Sequence, residues 1–196
     1  MTSWTRAFTT LGALTLFVAA CSHREQGMPL AVTSATNRHG APAVANAVDA
    51  SRFLTQPCAA LTSSQLQTLR LDSPGVPDTN SSTAHYSGPA CTWYNQGALT
   101  SGLLAFGTTN KNGLADIYRA HEDGWFSGYW VETTVDGYPA VFTSIADGRR
   151  QGFCSLITGI SDTMTMLVSR DLGVGQDACE PARQTTLLIL KTLRGP

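Results

Sequence analysis

Charge is scarce in this chain. Only 14% of its 196 residues are Asp, Glu, Lys or Arg, and the two signs nearly cancel at a net −1. That balance excludes the basic stripe on which nucleic-acid binding depends, and it leaves no electrostatic means of holding an anionic bilayer. Long hydrophobic runs are missing too: the apolar stretch at residues 11–18 falls well short of the roughly 20 residues a membrane span requires. No CxxC, CxxH or HExxH spacing occurs, and the four histidines (His23, His39, His85, His121) are scattered, which argues against a metal centre. The chain also lacks a GxSxG elbow, an SxxK pair and a Walker loop, and its acids form no dyad pattern. We therefore assign no catalytic residue, no metal ligand and no cofactor.

What is present begins at the N-terminus. Arg6 supplies a charge in a polar start, residues 11–18 an apolar core, and Ala19-Ala20 a pair of small residues just before Cys21. This order is that of a bacterial lipoprotein signal peptide. Residues 1–20 are then a signal peptide, and Cys21 is the expected mature N-terminus, carrying diacylglyceryl and palmitate lipid at the extracytoplasmic face of the cell membrane. One acyl chain binds a bilayer only marginally, so stable anchoring needs at least two. Residues 22–52 contain no Phe, Trp or Tyr, and residues 21–52 read as a disordered Ala/Ser/Thr/Pro-rich tether, reaching on the order of 30 Å from the membrane.

Five cysteines are present. With Cys21 given to lipid, Cys58, Cys91, Cys154 and Cys179 remain, and an even remainder outside the cytosol favours disulfides over metal. Three connectivities are open, and sequence alone does not choose among them. Our hypothesis joins sequence neighbours, Cys58 with Cys91 and Cys154 with Cys179.

The folded domain is expected over residues 53–196. Thr62 and Gln65 form a capping box, with Leu61 and Leu66 as its hydrophobic staple, so a helix runs to about Leu69. Residues 72–82, with two prolines among polar turn formers, read as a loop. Strands follow at residues 90–95 and 99–106, joined as a hairpin. Leu114, Ile117, Tyr118 and His121 mark one face of a second helix. A meander comes next, with strands at 129–134, 139–145, 153–160 and 163–170 and Asp-Gly turns at 136–137 and 147–148. In its last strand Met164, Met166 and Val168 alternate with Thr163, Thr165 and Ser169, which predicts one wet face. A final helix starts near Asp177 and ends near Leu193, with Pro181 in its first turn. The sum is one α+β domain, an antiparallel sheet of about six strands with three helices packed on it.

Several motifs have two readings. Trp125, Phe126, Tyr129 and Trp130 could line a groove for a lipid or a glycan, although rings beside a helix usually serve packing. His121 could be a base, but no partner motif accompanies it. Asp116, His121 and a serine could be imagined as a triad, which only geometry can establish. The run Gly173-Val174-Gly175-Gln176-Asp177-Ala178 fits GxGxxA, yet the chain ends at Pro196, too soon for the parallel strand and acid that a dinucleotide site needs.

The segments Gln56-Pro57-Cys58-Ala59-Ala60-Leu61-Thr62, Cys91-Thr92-Trp93 and Gly137-Tyr138-Pro139-Ala140-Val141, with Cys154 and Cys179, together resemble actinobacterial lipoproteins of domain-of-unknown-function family 3558. The likeness covers about residues 53–193. It implies a surface lipoprotein with a compact α+β domain, akin to the extracellular sensor domains of some mycobacterial receptor kinases, and it implies no catalytic residues. The expected function is a non-catalytic, lipid-anchored binding or accessory domain whose partner is a small molecule or an envelope protein. The rivals are an envelope hydrolase with an unrecognised active site and a structural partner of another envelope protein.

Overall fold

A computed structural model describes residues 37–72 and 74–195. Residues 1–36, and with them Cys21 and the signal-peptide reading, lie outside the described residues.

In chain order the elements are α1 (Ser51–Thr55), a 3-10 turn at Pro57–Ala60, α2 (Ser63–Leu69), β1 (Val76–Asp78), α3 (Ser82–Ser87), β2 (Ala90–Asn95), β3 (Thr100–Gly107), α4 (Leu114–Glu122), β4 (Tyr129–Val135), β5 (Tyr138–Ser144), a 3-10 turn at Arg149–Gln151, β6 (Phe153–Ser161), β7 (Met164–Asp171) and α5 (Cys179–Arg194). The seven strands form one sheet in the order β1-β2-β3-β7-β6-β5-β4. Every neighbouring pair is antiparallel.

Strand alternation divides the core in two. Trp93, Leu104, Val168 and Leu156 face one side, where Phe53 of α1, Leu66 and Leu69 of α2 and Ala182, Ile189 and Leu190 of α5 close over them. Val141, Ile157 and Leu167 face the other side and meet Leu114, Ala115, Ile117 and Tyr118 of α4. Thr165 and Ser169, expected to be wet, are on this second face and are each 3% exposed. Both are nevertheless buried, and the Ser169 hydroxyl satisfies itself on the Ser155 hydroxyl at 2.8 Å.

Local chemistry accounts for most boundaries. Thr62 caps α2 by accepting the Gln65 N–H, while Gln65 Oε1 accepts the Thr62 N–H at 2.8 Å. Gln65 also donates to the Leu188 carbonyl at 3.0 Å, tying α2 to α5. At the start of α5, Asp177 Oδ1 accepts the Cys179 N–H at 2.9 Å. Two disulfides join sequence neighbours: Cys58 with Cys91 links the turn before α2 to β2, and Cys154 with Cys179 links β6 to the start of α5.

Two expectations need correction. Residues 37–52 are not a free tether: Ala41 and Ala50 are buried, Val44 and Val48 pack on the core, and the Val48 N–H donates to the Ile160 carbonyl at 3.0 Å. Arg38 adds an ion pair to Asp162 at 3.1 Å. The composition argument fails here because the segment builds no core of its own; it lays small apolar side chains onto one already formed. Residues 72–82, read as a loop, contain β1, and α3 begins at their last residue, Ser82. Ser81 caps α3 by accepting the Ala84 N–H at 3.1 Å, and three residues suffice for β1 because it only extends the edge of β2.

Candidate functional site

The alternation of Met164, Met166 and Val168 carries on to Arg170, so the last inward position of β7 is filled by a guanidinium. Arg170 is 3% exposed. An isolated buried charge is costly and is ordinarily paired with an opposite charge, yet among the described residues Arg170 forms no salt bridge. Its partners are neutral: Nε donates to the Ser101 carbonyl at 3.1 Å, Nη1 to Thr185 Oγ1 at 3.2 Å and Nη2 to the Leu69 carbonyl at 3.4 Å. Burial pushes its affinity for the proton down. It stays charged at neutral pH even so, because arginine starts far above that range.

Each partner is placed by its own element. Leu69 ends α2, so its carbonyl has no partner within the helix and presents the negative end of the helix dipole. Arg70 then leaves the helix in the left-handed conformation at φ 54°. Thr185 donates to the Pro181 carbonyl one turn back, which turns its lone pairs to Arg170. Opposite Arg170 in the ladder stands Gly102, where an added Cβ would lie 3.0 Å from Leu71 and 3.3 Å from the Arg170 side chain. The missing side chain is the room the arginine uses.

Beside this group is a cavity of about 440 Å³, lined by Thr68, Leu69 and Arg70 at the end of α2, Asn95, Ala98 and Thr100 of the β2–β3 hairpin, Arg170 and Leu172, Gln176, and Pro181 and Gln184 of α5. That volume is within the usual range for small-molecule sites. Two arginines and no carboxylate line it. Its mouth is braced: Asn95 Nδ2 donates to the Arg70 carbonyl at 2.9 Å, Asn95 Oδ1 accepts the Ala98 N–H at 2.8 Å, and Asp72 Oδ2 accepts the Gln96 N–H at 2.9 Å. The GxGxxA run is part of the same border. Gly173 and Gly175 take positive φ in the β7–α5 loop, no parallel strand follows among the described residues, and Gln176 is what the loop gives to the cavity.

The four rings expected to line a groove are separated. Tyr129 and Trp130 are consecutive on β4, so they project to opposite faces of the sheet. Tyr129 is buried beside the Cys154–Cys179 bridge, with the Arg149 guanidinium over its ring at 4.4 Å. Burial pushes its phenol up, against the opposing effects of the Ser155 N–H and Arg149. Trp130 instead stacks on His121 at 3.9 Å, meets Tyr118 edge-on at 4.9 Å and touches the side of Phe126 at 6.2 Å. Trp125 is 66% exposed and joins none of these contacts. Counting rings in the sequence missed that strand period 2 divides them.

Nor does the imagined triad assemble. Asp116 binds the Asn112 N–H at 3.0 Å and pairs with Arg119 at 3.5 Å, while His121 lies flat on Trp130. Tyr118 is pushed up to about 12 by burial and by the Glu132 carboxylate beside it, so it is no base at neutral pH. Among the described residues no group of three or more His, Cys, Asp or Glu side chains could hold a metal ion. No helix among them is long and apolar enough to cross a membrane.

Sequence reasoning missed Arg170 and Arg70, although the signal for Arg170 was present: a cation occupying the next place in an inward-facing alternation. No curated protein and no solved structure matches the chain. A family model does match, over residues 16–192, nearly its whole length, and the chain therefore belongs to the family described as protein of unknown function (DUF3558).

Proposed function

We propose that this protein is a lipid-anchored cell-envelope lipoprotein whose folded domain binds a small molecule without transforming it. The observation that carries the binding half is Arg170, a buried guanidinium with no counter-charge among the described residues, at the wall of a cavity of about 440 Å³. Removing a charge from water without a compensating charge is a cost that stability alone does not explain, whereas a binding site has a use for it. The lining offers hydroxyls, amides and arginines, with no His, Asp, Glu or Cys to act as general base or nucleophile. That composition favours binding over the hydrolase alternative. The anchoring half rests on the apolar run that ends in Val-Ala-Ala-Cys at Cys21.

Two measurements test this reading. Native mass spectrometry of the full chain purified from its membrane fraction should show a small molecule retained by the wild type. Metabolic labelling with an alkyne fatty acid should mark the wild type and leave Cys21→Ala unlabelled. Undiminished label on Cys21→Ala would remove the anchor.

A further inference from the structure

We infer that the cavity beside Arg170 takes a small organic acid and grips it by a single carboxylate, supplying the negative charge that no described residue provides. This inference rests on the reading of the cavity as a binding site and names the chemistry of its occupant.

The donor inventory selects the class. A guanidinium carries five N–H groups. Ser101, Thr185 and Leu69 accept three of them, one from each nitrogen, so one N–H on each terminal nitrogen remains without an acceptor among the described residues. The guanidinium plane that carries these two N–H groups can meet the two oxygens of one carboxylate, a planar match that a lysine ammonium does not offer. The charge count agrees: one buried cation balances one negative charge. A phosphate monoester would bring close to two charges and three acceptor oxygens. The first turn of α5 has little to add: Asp177 accepts the Cys179 N–H, Pro181 has none, and the Ala182 N–H donates to the Ala178 carbonyl. Arg70 lies at the end of α2, where it attracts an approaching anion without being the buried partner.

The rest of the lining limits the body of the acid. Leu69, Ala98, Leu172 and Pro181 give apolar wall, and Thr100, Gln176 and Gln184 give neutral polar groups. A neutral, partly apolar body suits these walls, and a second carboxylate would find no second buried cation.

The test uses the full chain in detergent micelles, with protein-free micelles as the blank. Hexanoate, benzoate and 4-phenylbutyrate are each titrated against the corresponding primary amide, with inorganic phosphate as a separate probe, by calorimetry and by the side-chain NMR signal of Arg170 Nε–H. At least one acid should bind, its amide at least roughly tenfold more weakly, as expected when a charge-assisted hydrogen bond is lost. Arg170→Met should abolish the difference between acid and amide, and Arg170→Lys should restore only part of it. Should Arg170→Met not fold, judged by disulfide mapping and circular dichroism, the contrast between acid and amide in the wild type still decides, and Arg70→Gln should weaken the acids without erasing that contrast. Equal binding of acid and amide overturns the carboxylate and leaves the binding reading intact, as does phosphate binding in place of the acids. No binding by any probe, together with no retained molecule in native mass spectrometry, overturns both.

Discussion

The Tyr129 hydroxyl accepts the Ser155 backbone N–H at 3.0 Å and lies 3.6 Å from Cys154 Sγ. Pairing of β5 with β6 extends only from Ala140↔Thr158 to Phe142↔Leu156, so Ser155, the next residue along β6, has no acceptor from β5. A side chain from β4 reaches across to supply one. Tyr129→Phe keeps the ring and removes the acceptor, leaving a buried N–H unsatisfied. The expected loss is about 1–3 kcal/mol of stability, read as a lower denaturant midpoint at unchanged slope. Ligand binding at Arg170 should not change. A neutral Tyr129→Phe would mean that another group satisfies Ser155.

The two disulfides hold two walls of the cavity. Cys58–Cys91 fixes the turn that leads into α2, whose end supplies Leu69 and Arg70, and Cys154–Cys179 fixes the start of α5, which supplies Pro181 and Gln184. Closing loops of 33 and 25 residues should contribute roughly 3–4 kcal/mol each on the chain-entropy account. Replacing either pair with alanine should lower stability by about that amount and weaken binding as well. Equilibrium denaturation with parallel titration of a bound acid checks both effects. Full stability without either bridge would show that packing alone holds these walls.

Asp147 should be one source of acid sensitivity. Its carboxylate accepts bonds from the Arg149 side chain at 2.6 and 2.8 Å and from the Arg149 N–H at 3.1 Å, which pull its pKa down to about 2. A carboxylate whose folded value is depressed stabilises the fold above its unfolded value, about 3.9, and loses that contribution as pH falls through the folded value. The relevant window is therefore pH 4 down to about 2. NMR titration of the Asp147 carboxyl should find its midpoint in the lower part of that window, and Arg149→Ala should move it back up. An ordinary midpoint in the wild type would remove the Asp147–Arg149 clamp over Tyr129.

How much of this was legible in the sequence depended on whether the signal was local. The capping box at Thr62 and Gln65, the β2–β3 hairpin, the Asp136-Gly137 turn and the α4 stripe are each written within a few residues, and each is found in place. β1 and residues 37–50 carry no such mark, since their order comes from surfaces built by distant segments. The aromatic segment misled because proximity in sequence becomes opposition across a strand, and Ser169 misled because a buried hydroxyl can satisfy itself on a neighbouring strand's serine. Arg170 was legible only by carrying the alternation of β7 one position further and asking what a cation does there. Its lack of a carboxylate partner required the fold.

The Arg170 cavity as the ligand site is tested most directly by the Arg170 Nε–H resonance during titration with an acid that calorimetry shows to bind. It should shift in step with occupancy, while the indole resonance of Trp130 on the opposite face stays still. A silent Arg170 with a moving Trp130 would place the ligand among the aromatic rings and contradict the account.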